Sequence, residues 1–387
     1  MYISRLKLYN WKNFHSCEVK LSERSFIIGA NASGKSNFLD SLRFLRDVVR
    51  QGGGLQSAVE LRGGVTKIRS LAARSQTNIR IELDLSDSGA DAPKWKYAID
   101  IVNRGGGIMK NQASVNEEVV FDYTQNKEVL RRTPKTKGED PETLLFTHLE
   151  QATTNGAFRE IRDAFQTIEY LNVVPQMVRE ESTVFMTSYK EDYYGRNFLN
   201  RLARLNERTR NKYLRQINDV LSIAVPQLQE LSFSTDERGI PHIEAKYQHW
   251  RAAGSRQNEK LFSDGTLRLI GFLFALLDGN GIILLEEPET NLHSSIVAQI
   301  PEFVARMQRQ KNRQVLVTTH SYDILSNNGI GIEELIILEN SVEGTIIRNA
   351  KDVENVRIMM ESGLTAADVA AVQTAPMQVE RINQLPT

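Results

Sequence analysis

The 387-residue chain has a single cysteine, Cys17. That excludes an internal disulfide and fits a reducing compartment. It has no excess of charge, with 48 Lys and Arg against 48 Asp and Glu. No global field therefore draws it to nucleic acid or membrane, and such a contact would need a local patch. No apolar run approaches the ~18 residues of a membrane span, and the N-terminus lacks a cationic segment followed by an apolar one. A soluble, cytoplasmic protein is expected. No fixed-period repeat and no long heptad run are visible. There is no C-x-x-C. His15, His148, His242 and His249 lack metal-ligand spacing, and no serine has a recognisable triad partner. Zinc centres, redox dithiols and hydrolase triads leave the field.

What remains is concentrated in a few motifs. Residues Gly29-Ala30-Asn31-Ala32-Ser33-Gly34-Lys35-Ser36 read G-x-x-x-x-G-K-S. The apolar run Phe26-Ile27-Ile28 precedes them and a helical stretch, Asn37 to Val49, follows. Strand, loop and helix in that order make a phosphate loop. Backbone N–H groups of Asn31 to Gly34 can turn towards phosphate oxygens, and the helix N-terminus adds partial positive charge. Lys35 would reach the β- and γ-phosphates of ATP, and Ser36 would hold Mg²⁺.

The second half of the chain narrows the chemistry. Gly281 to Glu287 forms an apolar strand ending in two acids. Glu286 would support Mg²⁺, and Glu287 sits where a base could polarise an attacking water. Gln314 to Thr318 reads as a further core strand, followed by Thr319-His320-Ser321. There His320 could sense a γ-phosphate. Leu261-Phe262-Ser263-Asp264-Gly265-Thr266 opens an apolar helix, Leu267 to Leu277. It reads either as an ordinary N-cap or as a second anion-binding helix start.

Alternating strand patterns cover Tyr2–Leu8, a region around Val19–Leu21, and four later runs: Asn78–Leu85, Lys94–Val102, Val115–Asp122 and Lys127–Arg132. The last four suggest an antiparallel β insertion, with a turn at Asn103–Gly107. From about Pro141 to Ala224 the pattern is helical, except for a strand expected over Ile168–Val174. A hairpin is expected over 231–246, and the tail after Gln373 is polar. The expected organisation is 1–140 for the phosphate loop and β insertion, 141–254 for a mostly helical lobe, 255–350 for the second half of the ATPase, and 351–387 for an extension. The fold class is α/β: a P-loop NTPase with a mixed central sheet, an antiparallel β insertion and a helical lobe.

Together the phosphate loop, Ser263-Asp264-Gly265-Thr266, Glu286-Glu287-Pro288-Glu289-Thr290-Asn291-Leu292-His293 and Thr318-Thr319-His320-Ser321 resemble the ABC-type ATPases. They are most similar to the RecF/SMC/OLD-like branch called AAA_21 or AAA_15. The resemblance covers roughly residues 1–50 and 255–340. It implies two ATPs sandwiched between two heads, so a homodimer or higher homo-oligomer. Lys35 and Ser36 of one head would face Ser263 and Gly265 of the other. Glu287 would be the catalytic base, His320 the switch histidine, and Asn291 part of a loop at the dimer interface, with His293 in the same loop. A Mg²⁺-sensing glutamine is implied as well; Gln176 is the candidate and Gln56 its rival. Lys35 and Ser263 lie 228 positions apart, unlike the closer spacing of transporter ATPases.

Residues 196–222 read as one amphipathic helix with Arg201, Arg204, Arg208, Lys212 and Arg215 in a stripe, spaced 3, 4, 4 and 3 apart. The stripe is either a nucleic-acid contact or a solvated face. Two roles follow from the resemblance. One is a switch ATPase of anti-phage defence that regulates a separate effector, a Toprim-type nuclease or toxin. The other is a RecF-like DNA-maintenance ATPase without a dedicated effector.

Overall fold

A computed structural model describes residues 1–90, 92–105, 111–136, 140–181, 198–248 and 255–375. The chain divides into two compact units. The first comprises residues 1–169, 280–284 and 308–387, and the second 170–279 and 285–307. The turn expected at Asn103–Gly107, His249, and most of the tail fall partly or wholly outside the described residues.

Among the described residues, fifteen strands are numbered in chain order. The first unit opens with β1 (Tyr2–Trp11), β2 (Phe14–Lys20) and β3 (Arg24–Gly29), followed by β4 (Ile79–Ser86), β5 (Trp95–Arg104), β6 (Gln112–Asp122) and β7 (Lys127–Arg132). The chain passes to the second unit along β8 (Glu169–Leu171). There it forms β9 (Leu228–Thr235), β10 (Pro241–Tyr247) and β11 (Ser255–Asn258). It returns through β12 (Ile282–Glu286), β13 (Gln314–Thr318), β14 (Leu335–Ser341) and β15 (Gly344–Asn349).

One sheet, in the order β2-β1-β4-β5-β6-β7, is antiparallel throughout. The expected β insertion is therefore continuous with the N-terminal hairpin. In β1 the buried residues Ile3, Leu6 and Leu8 break strict alternation once, between Ile3 and Leu6. The register shift between Ile3 and Arg5 accounts for it, because one extra residue in a strand moves the following side chains to the opposite face.

The second sheet runs β15-β14-β3-β13-β12-β8, and β3 is parallel to both of its neighbours. These three strands carry unbroken apolar runs: Phe26 to Ile28, Val315 to Val317 and Leu335 to Leu338 are all buried. That is the signature of parallel strands covered on both faces.

The second unit holds the three-stranded sheet β11-β10-β9 and the long helices Glu207–Ala224 and Asp264–Leu277. The hairpin expected over 231–246 is β9–β10, with Asp236 Oδ1 accepting from the N–H groups of Arg238 and Ile240 at its turn. Two expectations are corrected. The strand expected over Ile168–Val174 spans only Glu169–Leu171, and a helix begins at Pro175, where proline's fixed φ suits a first turn. The single helix expected over 196–222 is two helices, Phe198–Arg204 and Glu207–Ala224. Asn206 caps the second, its Oδ1 accepting from the Thr209 N–H at 2.9 Å. A side chain that competes for backbone N–H groups ends one helix and starts the next.

Candidate nucleotide site

In the first unit the phosphate loop joins β3 to the helix Lys35–Val49. Gly34 is the N-cap with φ 97°, a left-handed conformation that a residue with a Cβ adopts at a cost. A Cβ there would also strike the Asn13 side-chain amide. Ala32 is left-handed too, with φ 61°, so the loop curls back on itself. Alternating backbone hands of this kind turn successive N–H groups inwards and make an anion-binding concavity.

Side chains outside the motif hold the loop. Asn13 Nδ2 donates to the Ser33 carbonyl at 3.1 Å and Thr345 Oγ1 donates to it at 2.7 Å. Asn37 Nδ2 donates to Asn13 Oδ1 at 2.8 Å, and Trp11 Nε1 to the Asn37 carbonyl at 2.8 Å. Neither Asn13 nor Thr345 belongs to a motif visible in the sequence. Asn13 lies in the β1–β2 turn and Thr345 in β15, and only the fold brings them to the loop.

The helix Lys35–Val49 is fixed from behind by Arg62. Its guanidinium meets Asp40 at 2.8 Å and Asp47 at 2.9 Å, both carboxylates being buried. Despite burial, which opposes ionisation, Arg62 and Lys12 hold Asp40 below the usual carboxylate range.

Lys35 is buried, and its Nζ donates to the carbonyls of Gly29 and Ala30 at 3.0 and 3.2 Å. Ser36 and Asn31 are exposed. Ser33 Oγ is buried and has no hydrogen-bond partner among the described residues. Glycine-permitted curvature, a lysine resting on loop carbonyls and an orphaned hydroxyl together suit a phosphate chain. His320 follows β13, the parallel neighbour of β3, and is exposed. The Thr319 N–H donates to the Ile27 carbonyl at 3.2 Å, so His320 leaves the sheet at the same edge as the phosphate loop.

In the second unit, Glu286 ends β12 and accepts a hydrogen bond from the Tyr170 hydroxyl. Glu287 has φ 42°. A non-glycine residue there is strained, and the proline at 288 disfavours compact backbone before it. Such strain is concentrated where a side chain must be aimed. The Glu287 carbonyl accepts from Thr290 N–H and Oγ1 at 3.2 and 2.9 Å, closing a tight turn. Asn291, in the same loop, is exposed with φ 62°. His293 caps the next short helix through Ser295.

Ser263 caps the helix Asp264–Leu277, its Oγ accepting from the Thr266 N–H at 3.1 Å. Gly265 packs against the Asn291 carbonyl, which a Cβ would approach to 2.7 Å. The two stretches that sequence reading assigned to an interface therefore lie side by side.

Gln176 is placed on this helix start: Nε2 donates to Asp264 Oδ2 at 3.2 Å. Arg179 reinforces it, donating to Asp264 Oδ1 at 2.6 Å and to the Phe262 carbonyl at 2.7 Å. The rival, Gln56, is a structural plug, bonded to the Ala113 backbone and the Leu145 carbonyl. Among the described residues no group of three His, Cys, Asp or Glu side chains could hold an ion. A Mg²⁺ would depend on phosphate oxygens together with one or two protein ligands, as Mg²⁺ commonly does.

The basic stripe is divided. Arg201 bonds Asp278 at 2.6 Å and lies over the Phe274 ring. Arg204, Arg208, Lys212 and Arg215 are exposed. Among the described residues no helix is long and apolar enough to cross a membrane.

A family model described as "AAA domain, putative AbiEii toxin, Type IV TA system" matches residues 24–326. A stretch of 111 residues is 32% identical to the glutathione/L-cysteine transport system ATP-binding/permease protein CydC of Escherichia coli (strain K12). It spans 29% of this chain and 17% of that protein, so the chain covers only a small part of that relative. The fold is similar to the SmcHead in its crystal structure with the C-winged helix domain of ScpA (TM-score 0.55, 13% identity, 90% of this chain and 98% of that one). It is also similar to the Smc head domain with an extended coiled coil bound to the C-terminal domain of ScpA derived from Pyrococcus furiosus (TM-score 0.52, 13% identity, 94% and 99%). The chain belongs to the AAA_21 family, with the P-loop NTPase fold of ABC-type and SMC-like ATPase heads.

Proposed function

We propose that this protein is a switch ATPase that binds and hydrolyses ATP with Mg²⁺ and pairs its heads around the nucleotide. The observation that carries the reading is the curled loop from Asn31 to Gly34 with the Lys35 ammonium already resting on its carbonyls. Phosphate oxygens are stronger acceptors for an ammonium than neutral carbonyls. Lys35 would therefore turn to the β- and γ-phosphates, with Ser36 and Glu286 holding Mg²⁺. The ion would neutralise charge on the phosphates as the bond to the γ-phosphoryl group loosens. Glu287 would accept a proton from the attacking water, and His320 would contact the γ-phosphate. Gln176 would couple the metal site to the helix start through Asp264.

Ser263, Gly265 and Asn291 would complete the site of a second copy of the chain. Regulation of a separate effector, a Toprim-type nuclease or toxin in anti-phage defence, is the role we favour. It rests on the family alone. The second reading, a RecF-like DNA-binding ATPase, draws on the exposed cations Arg204, Arg208, Lys212 and Arg215.

Steady-state phosphate release tests the chemistry. Lys35→Ala should abolish nucleotide binding. Glu287→Gln should bind ATP, turn over about 10²–10⁴-fold more slowly, and accumulate as an ATP-dependent dimer in size exclusion. Turnover unchanged in both variants would reject the site. Copurification from the native operon, with ATP and Mg²⁺, decides between effector and nucleic acid.

A further inference from the structure

Glu259 is fully buried. A carboxylate taken out of water is costly unless its oxygens are met. Both oxygens are met from β10. Oε1 lies 2.7 Å from His242 Nδ1, and Oε2 accepts from the Ile243 N–H at 3.2 Å. Against an ionised carboxylate, which only accepts, Nδ1 is the nitrogen that carries the proton. His242 is buried as well. Its Nε2 faces Asp236 Oδ2, in the β9–β10 turn, at 3.8 Å, beyond hydrogen-bond reach.

The pair stands where the backbone ladder stops. β10 and β11 pair from Tyr247↔Ser255 to Glu244↔Asn258. One residue later the Glu259 side chain takes over the connection to β10. Glu259 opens the single turn Glu259–Leu261, and its carbonyl accepts from the Phe262 N–H at 3.3 Å. Phe262 is buried beside the Tyr247 ring, and its carbonyl accepts from Arg179. Ser263, the next residue, is exposed and caps the helix Asp264–Leu277. Between Glu259 and Ser263 the chain therefore runs from a buried, directionally bonded carboxylate to an exposed helix start.

We propose that His242 and Glu259 are positioning residues for the Ser263–Thr266 segment, fixing where Ser263 is presented to the nucleotide held by a second copy of the chain. The inference rests on the reading of Ser263 as part of a partner's site. A charge-assisted hydrogen bond fixes direction as well as distance. An apolar pair of similar size could fill the same space without loss of stability. It would not fix the direction in which the chain leaves the sheet.

The test is steady-state ATP hydrolysis by the full chain with Mg²⁺, alongside mant-ATP binding, thermal unfolding and mixing of variants. His242→Leu should lower kcat about 10–100-fold, the scale of a misaligned group. Its mant-ATP affinity should stay within about twofold, since the phosphate loop is untouched. His242→Asn, whose amide nitrogen can stand in for Nδ1, should recover part of the loss. His242→Leu combined with Glu259→Met also removes the buried charge, so it should unfold near the wild-type temperature while turnover stays low. Mixed with Lys35→Ala chains, His242→Leu chains should regain part of the activity. Mixed with Ser263→Arg chains they should not, because neither chain then presents a competent Ser263. Wild-type turnover in His242→Leu would overturn this proposal, as would turnover recovered together with stability in the apolar double variant. No recovery with Lys35→Ala chains, where Ser263→Arg chains do recover with them, would assign the pair to the fold alone. Failure of Lys35→Ala and Ser263→Arg chains to complement each other, with mixed dimers confirmed, would instead overturn the reading of Ser263 and this proposal with it.

Discussion

Replacing Gly265 by alanine sets two physical effects against each other. Gly265 sits in the first turn of a helix, without a left-handed φ. Helix propensity alone says that alanine stabilises, by at most about 1 kcal/mol and less in a first turn. The new Cβ, however, would lie 2.7 Å from the Asn291 carbonyl oxygen. A relaxed carbon–oxygen contact needs about 3.3 Å, so roughly 0.6 Å must be found by the helix start or the loop. Neither yields freely. Ser263 and Thr266 pin the helix start, and the Glu287–Thr290 turn pins the loop. Overpacking of this kind costs about 1–3 kcal/mol. The contact wins, with a net loss of about 1–2 kcal/mol and a lowered melting temperature. Turnover should fall about tenfold or more, because the displaced loop also carries Glu287. Differential scanning calorimetry and phosphate release read both effects. A Gly265→Ala protein with a raised melting temperature and normal turnover would refute the argued contact.

Arg62→Met leaves the buried Asp40 and Asp47 carboxylates without their shared cation. It should cost about 3–5 kcal/mol, measured by urea unfolding, and weaken nucleotide binding through the phosphate-loop helix; an unchanged midpoint would remove Arg62 from that role. Changing Arg208, Lys212 and Arg215 together to Glu should lower the slope of log affinity against log salt on duplex DNA by about 0.9 per lost phosphate contact, while basal ATPase persists. Equal DNA affinity before and after, or no DNA binding by the wild type with ATP present, would return these cations to a solvated face. Mixing Lys35→Ala with Ser263→Arg chains should restore part of the activity if each site draws on two copies, and confirmed mixed dimers without recovery would count against a shared site. Tyr170→Phe removes the hydroxyl bonded to Glu286 and should raise the Mg²⁺ concentration needed for half-maximal turnover, whereas an unchanged Mg²⁺ titration would make that bond incidental.

The sequence by itself determined the nucleotide-binding family and most of the strands. A phosphate loop needs a fixed local run from β3 into a helix, and local runs are readable from Gly29 to Ser36. The parallel strands were legible because burial on both faces makes them continuously apolar, as in Val315 to Val317. The break at Asn206 was missed because charge periodicity carries across it, while the cap depends on one side chain turning back to Thr209. Gln56 and Gln176 could not be separated by spacing, since each hydrogen bond depends on residues up to 89 positions away. The same holds for the contacts that hold the site. Asn13 reaches Thr345 across 332 positions, and Tyr170 meets Glu286 across 116. Composition and periodicity report which face of an element is buried. Only the tertiary structure decides which distant side chain a buried polar group meets, because that partner is chosen by packing rather than by neighbours along the chain.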